Sequence, residues 1–397
     1  MTDVVLAFNA GSTSLKFAAC DIDEARKASP GVSGTVEAIQ GTPRFVAQDA
    51  AGRVIATHGW AEGRPIDHDE AFGFAVEWLQ GHVAGARIVA AGHRMMLGGP
   101  HCAGPVRLDP LVLRTLEAQS AMEPSHQPFN VRGARAVAAL LPDVPQVACF
   151  DSSFHQTMPE TARTYALPKA VRAAGIHHRG YHGLSCEYIG GRMRSLEPSA
   201  RRVIVAHLGG GSSLCAMLDG RSVETSMGLS ALSGLPMATR SGDIPPDALL
   251  YLLRSGQFDI ASLETMLYER SGLLGLSGIS GDMRVLQDNP APDAIRAVAQ
   301  YVHAMTKFMG AYAAVLGGLD ALVFTGGIGE HSYQVRSALC GRIASLGVVL
   351  DEGASRSGSA VISTPESRVV VRVIVTNEEL MIARHTLALL DSAPDGR

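Results

Sequence analysis

VIVAHLGGGSSLCAM, Val203 to Met217, is an apolar strand that enters three consecutive glycines and two serines and leaves through a second apolar strand. Without a Cβ, glycine lets backbone N–H groups turn inward against an anion, and the serine hydroxyls add donors at the rim. The turn therefore suits a phosphate group. The pattern recurs near the N-terminus, where Val4 to Phe8 is apolar, Asn9-Ala10-Gly11-Ser12-Thr13-Ser14 turns, and Leu15 to Cys20 is mostly apolar again. One glycine-rich hairpin is an ordinary tight turn. Two of the same form, one in each half, predict a duplicated α/β architecture that grips a ligand between its halves.

Size and composition agree with two folded domains. At 397 residues the chain is too long for one compact core, and 46% hydrophobic against 18% charged residues leaves ample material for two. The formal charge of −4, with no long Lys/Arg run, argues against nucleic acid or an anionic membrane as partner. Anion binding then falls to individual arginines. The six cysteines, Cys20, Cys102, Cys149, Cys186, Cys215 and Cys340, are scattered without a CxxC pair, which indicates neither a disulfide framework nor a zinc site. They read as reduced thiols. No basic-then-apolar leader and no bilayer-length apolar run occur, so the expectation is a soluble cytoplasmic protein.

In chain order, the first half opens with a strand meander to Thr57, followed by a helix that Asp67 caps. A strand from Ile88 to Ala91 then ends at Gly92-His93-Arg94. Asp109-Pro110 opens a helix through Ser120, and Asn130 opens another to Leu141; Glu123 to Pro128 between them is too proline-rich for either. Val147 to Phe150 delivers Asp151 at a strand's carboxyl end, where open α/β sheets place ligand groups. The domain boundary falls just behind it, giving residues 1–151 with 381–397 and residues 152–380. In the second half, loops at Glu224 to Gly228 and Thr239 to Asp243 bracket the central glycine turn. Pro292 to Leu316 is a long helix, and Ala321 to Thr325 a strand entering Gly326-Gly327-Ile328-Gly329-Glu330. Ser367 to Val375 is the last strand, and Thr376 to Glu379 caps the final helix.

Seven strings together resemble the acetate kinase family. They are Phe8 to Lys16, Gly92-His93-Arg94, Phe150-Asp151 with Phe154 to Pro159, His207-Leu208-Gly209 with Gly211-Ser212-Ser213, Thr239 to Asp243, Phe324 to Glu330, and Thr376 to Leu380. They occur in the family's order and cover nearly the whole chain. The resemblance implies the actin-like, ribonuclease H-like two-domain fold with an interdomain cleft, a homodimer, and direct in-line phosphoryl transfer from ATP to a short carboxylate. It implies Arg94 and Arg240 flanking carboxylate and phosphoryl, His182 on the γ-phosphoryl oxygens, and Asp151 either partnering the metal or orienting Arg94 or the substrate. Asn9, Met96, Ser125, His126, Tyr181 and Ala231 would line the acyl pocket. Ser14, Lys16, His207, Gly209, Gly210, Gly211, Asp282, Arg284, Gly327, Gly329 and His331 would serve the nucleotide, and Asn9 and Glu378 the Mg²⁺, for which Mn²⁺ can substitute.

Chemistry supports that set. Two anions must be brought together, so guanidinium forks and a hard cation carry the task, and an ionised carboxylate needs no general base. The expected acceptor is acetate, with propionate or a more polar acid as the alternative. An actin-like nucleotide binder with little phosphotransfer is the rival from another class, but it has no use for Arg94 and Arg240. Departures from the family pattern fall in the pocket. Met96 stands for a valine, Ser125 for a leucine, Tyr181 for a phenylalanine and Ala231 for a proline. Elsewhere Met95-Met96-Leu97 replaces a histidine-containing string, Gly210 an asparagine, Cys186 a histidine and His331 an asparagine.

Overall fold

The computed structural model describes residues 2–392 apart from 12, 40, 62, 63, 84, 99–103 and 125. The chain divides into two compact units, Met1–Ser153 with Asn377–Arg397, and Phe154–Thr376.

The first unit carries strands β1 (Asp3–Ala10), β2 (Leu15–Ile22), β3 (Ala28–Glu37), β4 (Arg44–Gln48), β5 (Val54–Gly59), β6 (Arg87–Met95), β7 (Val106–Arg107) and β8 (Gln146–Phe150) in one sheet of order β5-β4-β3-β2-β1-β6-β8-β7. β1 and β2 pair antiparallel, while β1, β6 and β8 run parallel. β1 is almost wholly buried because both sheet faces are covered, which is why it reads as an unbroken apolar run. On one face Phe8, Leu15, Phe17 and Phe45 pack with Phe72, Ala75 and Leu79 of the helix His68–His82. The other face receives the last helix, Glu378–Ser392, so closely that a Cβ on Gly92 would lie 2.3 Å from Thr386 Oγ1.

The second unit carries β9 (Arg202–Leu208), β10 (Ser212–Leu218), β11 (Arg221–Thr225), β12 (Ala321–Thr325) and β13 (Val370–Val373), ordered β11-β10-β9-β12-β13. β10 is antiparallel to β9, and β12 is parallel to both β9 and β13. The arrangement repeats β3-β2-β1-β6-β8 strand for strand, with added edge strands in the first unit alone. Both are ribonuclease H-like sheets, and the glycine turns between β1 and β2 and between β9 and β10 occupy the same place in each. The 25-residue helix Pro292–Leu316 buries Ala294, Ala297, Tyr301, Met305, Met309 and Leu316 along one stripe. Cys186, Ile189 and Met193 of the helix Gly183–Leu196 pack with Val203, Val205 and Val323.

Three elements differ from expectation. β6 continues to Met95, so His93 and Arg94 belong to the strand. The helix expected from Asn130 begins at Gln127, with Pro128 in its first turn; proline is tolerated there because a first-turn N–H has no helical partner to lose. β13 is shorter than Ser367 to Val375, because Arg368 N donates to Gly347 O and the Ser367 hydroxyl to Val369 O, which ties that end to a loop.

Candidate active site

In the first unit the carboxyl ends of β1, β6 and β8 lie side by side and set Asn9, Arg94 and Asp151 together. Arg94 is buried. Its Nε and Nη2 donate to Asp151 Oδ2 at 3.0 and 2.5 Å, and its Nη1 to Asn9 Oδ1 at 3.2 Å. Asn9 Nδ2 donates in turn to Glu378 Oε2 at 2.8 Å and Glu379 Oε1 at 3.0 Å, at the start of the last helix. Burial opposes the guanidinium charge, but Asp151, Glu378 and Glu379 outweigh it and hold Arg94 above its ordinary range. Three carboxylic side chains thus converge on this arginine and asparagine.

Among the described residues no group of three or more His, Cys, Asp and Glu side chains is arranged to hold a metal. A Mg²⁺ ion would keep its waters and bind through one or two carboxylates plus substrate phosphates, and Glu378 is the residue whose oxygen would serve it. Asn9 turns its oxygen to Arg94 and its nitrogen to the two glutamates, so in this arrangement it orients the carboxylate. Ser14 closes the β1–β2 turn, its carbonyl accepting from Gly11 N at 2.8 Å, and Lys16 lies opposite Asn9 in the ladder.

Met96 is buried just past β6, and its backbone is fixed by a residue the sequence did not single out. Gln127 Oε1 accepts from Met96 N and Leu97 N at 3.2 and 3.1 Å, and its Nε2 donates to the carbonyls of Leu97 and Leu116 at 3.0 and 3.1 Å. His126, one residue before, has Nδ1 3.5 Å from Glu123 Oε1. Ser125 lies outside the described residues.

In the second unit the two glycine turns sit at the ends of adjacent parallel strands, β9 and β12. A Cβ on Gly209 would lie 3.9 Å from Gly327 N, and one on Gly211 3.2 Å from His182 Nε2 and 4.0 Å from Arg240 Nη1. His182 Nδ1 pairs with Ser213 Oγ at 2.9 Å, and its ring stacks on His207 with centroids 4.2 Å apart. His207 Nδ1 meets Ser185 Oγ at 2.8 Å. Arg240 Nη1 donates to Ala231 O at 3.0 Å, and Ala238 N to Gly210 O at 3.1 Å, which ties the arginine's loop to the turn. Tyr181 is buried, and its hydroxyl donates to Leu229 O at 2.6 Å. Cys186 is buried one helical turn after His182, whose carbonyl its N–H bonds at 2.9 Å.

Gly327 and Gly329 fall within the short helix Gly326–His331 that follows β12. Glu330 reaches back to accept from Gly326 N at 2.9 Å and Thr325 Oγ1 at 3.3 Å, which orders that turn. His331 is exposed, and beside it Ser332 Oγ donates to Gln287 Oε1 at 2.7 Å. Asp282 accepts from Arg284 N at 2.9 Å and from Arg284 Nη2 at 2.6 Å, so the two engage one another as a helix cap. Ser213 and Glu379 were legible as polar residues inside the seven strings, but their partners His182 and Asn9 lie 31 and 370 residues away and carry no local spacing.

The acetokinase family model matches residues 4–384. An acetate kinase from Rhodopseudomonas palustris is 43% identical over 397 residues, covering 98% of this chain and 99% of the relative. A propionate kinase from Francisella tularensis superposes with a TM-score of 0.87 at 33% identity, covering 97% of this chain and 99% of that one. An acetate kinase from Porphyromonas gingivalis does so at 0.83 and 33%, covering 98% and 100%. With paired ribonuclease H-like units, a caged arginine at one set of strand ends and a glycine-lined anion turn at the other, the chain belongs to the acetokinase family, ATP-dependent phosphotransferases that act on a carboxyl group.

Proposed function

We propose that the chain transfers the γ-phosphoryl group of ATP reversibly and directly to acetate, giving acetyl phosphate and ADP. The observation that carries the reading is the approach of His182 Nε2 and Arg240 Nη1 to the open face of Gly211, 3.2 and 4.0 Å from a Cβ placed there. An imidazole N–H and a guanidinium beside a glycine turn are donors aimed where charge spreads over a transferring phosphoryl. Arg94 is the residue assigned to the acetate carboxylate, and Asn9, Met96, His126, Tyr181 and Ala231 those assigned to the acyl pocket. Asp151 keeps Arg94 charged and aimed. The nucleotide phosphates rest on Ser14, Lys16, His207, Gly209 to Gly211, Gly327 and Gly329, and adenosine near Asp282, Arg284 and His331. Glu378, with Asn9 behind it, would hold a Mg²⁺ ion, which would supply charge neutralisation when bound. The working protein is a cytoplasmic homodimer.

A coupled ADP-release assay over a panel of small carboxylates, with hydroxylamine to trap acyl phosphate, tests the reading. Acetate is expected to give the highest kcat/KM and the hydroxamate. Arg94→Ala and Arg240→Ala are each expected to lower kcat about a thousandfold without unfolding the chain. ADP release without hydroxamate, or near-normal turnover in Arg240→Ala, would overturn it.

A further inference from the structure

His155 has no part in the chemistry described so far, yet it is buried completely and both its ring nitrogens are engaged. Its Nε2 lies 2.9 Å from the Tyr181 carbonyl and its Nδ1 2.8 Å from Ser222 Oγ. A carbonyl oxygen only accepts, so Nε2 carries the proton. In the Nε2–H tautomer Nδ1 is an acceptor, and the Ser222 hydroxyl donates to it. Cys215 Sγ donates to Ser222 Oγ at 3.6 Å. The Ser222 hydroxyl on one side and the Tyr181 carbonyl on the other together define the Nε2–H tautomer of His155.

What His155 grips is the segment just before His182. Gly180 has φ +82°, and a Cβ there would lie 2.6 Å from the His155 ring and from Thr225 Cγ2, so the backbone lies directly on the imidazole. His182 follows at φ 57°, ψ 27°, a left-handed conformation that costs a non-glycine residue about 1–3 kcal/mol and persists only where its surroundings impose it. From that position Nδ1 reaches Ser213 and Nε2 reaches the Gly211 face.

We propose that His155 is a positioning residue for phosphoryl transfer: its Nε2–H, by holding the Tyr181 carbonyl, keeps His182 left-handed with Nε2 on the phosphate turn. The inference rests on His182 touching the transferring phosphoryl. Steady-state kinetics and thermal melts of His155→Leu, His155→Gln, His182→Ala and the His155→Leu/His182→Ala double variant test it. Leucine removes the donor, whereas the glutamine amide can replace Nε2–H. His155→Leu is expected to lower kcat about thirtyfold with KM for acetate and ATP within about threefold, since displacement of a catalytic group by an ångström costs on that order. His155→Gln is expected to restore most of the rate, and His155→Leu to add nothing once His182 is alanine. Unchanged kcat in a folded His155→Leu enzyme, or losses that multiply in the double variant, would overturn the inference. If the leucine variant does not fold, Ser222→Ala supplies the readout: kcat lowered several-fold at constant KM supports the inference, and an unchanged kcat overturns it. A near-normal His182→Ala enzyme would overturn the reading of His182 as well, and is distinct from the case in which His182→Ala is slow and His155→Leu is not.

Discussion

His93 and Arg94 are consecutive in one strand and are buried with opposite outcomes. Arg94 keeps its charge because carboxylates surround it. His93 stacks on Phe8 and meets Gln146, whose amide nitrogen donates to His93 Nε2 at 2.6 Å and to Ala134 O at 3.2 Å while its oxygen accepts from Ala138 N at 3.0 Å. Burial in those surroundings pulls the His93 pKa from 6.5 down to about 4. A depressed histidine binds its proton more weakly in the folded chain than in the unfolded one. Its contribution is therefore fully present above pH 6.5 and is lost as the pH falls toward 4. Between pH 7 and pH 5 the loss amounts to about 2 kcal/mol. Denaturant midpoints of the first unit are expected to fall over this range in the wild type and to fall less in His93→Gln. Parallel pH curves for the two would refute the assignment. The sequence placed Arg94 and Asp151 by their position at strand ends. It did not reveal Gln127 or Glu379, because their partners lie 30 and 370 residues away and no local period records such distances.

At the scale of elements, the glycine turns were legible because each stands between two short apolar strands, and topology then places both at equivalent corners of equivalent sheets. The start of the helix at Gln127 was not, because proline signals both a loop and a first helical turn, and long-range contacts of Gln127 decide between them. Glycines within one turn are not equivalent. A Cβ on Gly211 would press on His182 Nε2, while one on Gly210 would meet nothing within 4 Å, and neither glycine has a positive φ. Gly211→Ala is accordingly expected to lower kcat about tenfold or more through displacement of His182, with little change in melting temperature. Gly210→Asn, which restores the residue usual in the family, is expected to fold normally and to lower the KM for ATP by adding an amide donor at the turn. A Gly211→Ala enzyme as fast as wild type, or a Gly210→Asn enzyme that unfolds, would contradict the geometry assigned to the turn.

At the scale of the molecule, the helix Pro246–Arg254 of the second unit has no buried side chain of its own, as is also true of the shorter helices Glu160–Arg163 and Lys169–Ala173. Pro246–Arg254 leaves Leu250 48% and Tyr251 71% exposed, with Ile244 at 39% and Ile260 at 78% nearby. Large apolar side chains exposed together on one stretch mark an association surface. The charge pattern is compatible with the proposed second copy of the chain. Asp247 stands in the first turn and Arg254 in the last, so two such helices packed antiparallel about a twofold axis set each acid against the other copy's base. In the proposed homodimer a second copy of the chain would cover the apolar face and meet both charges. Stable association needs about 1,600 Å² buried in total, more than this helix supplies alone, so it would form the centre of a larger contact. Charges at its middle are then the sharpest probe. In sedimentation at micromolar concentration the wild type is expected to run as a dimer, and Leu250→Glu/Tyr251→Glu as a monomer with an unchanged far-ultraviolet spectrum. A double variant that remains dimeric would move the interface to another face.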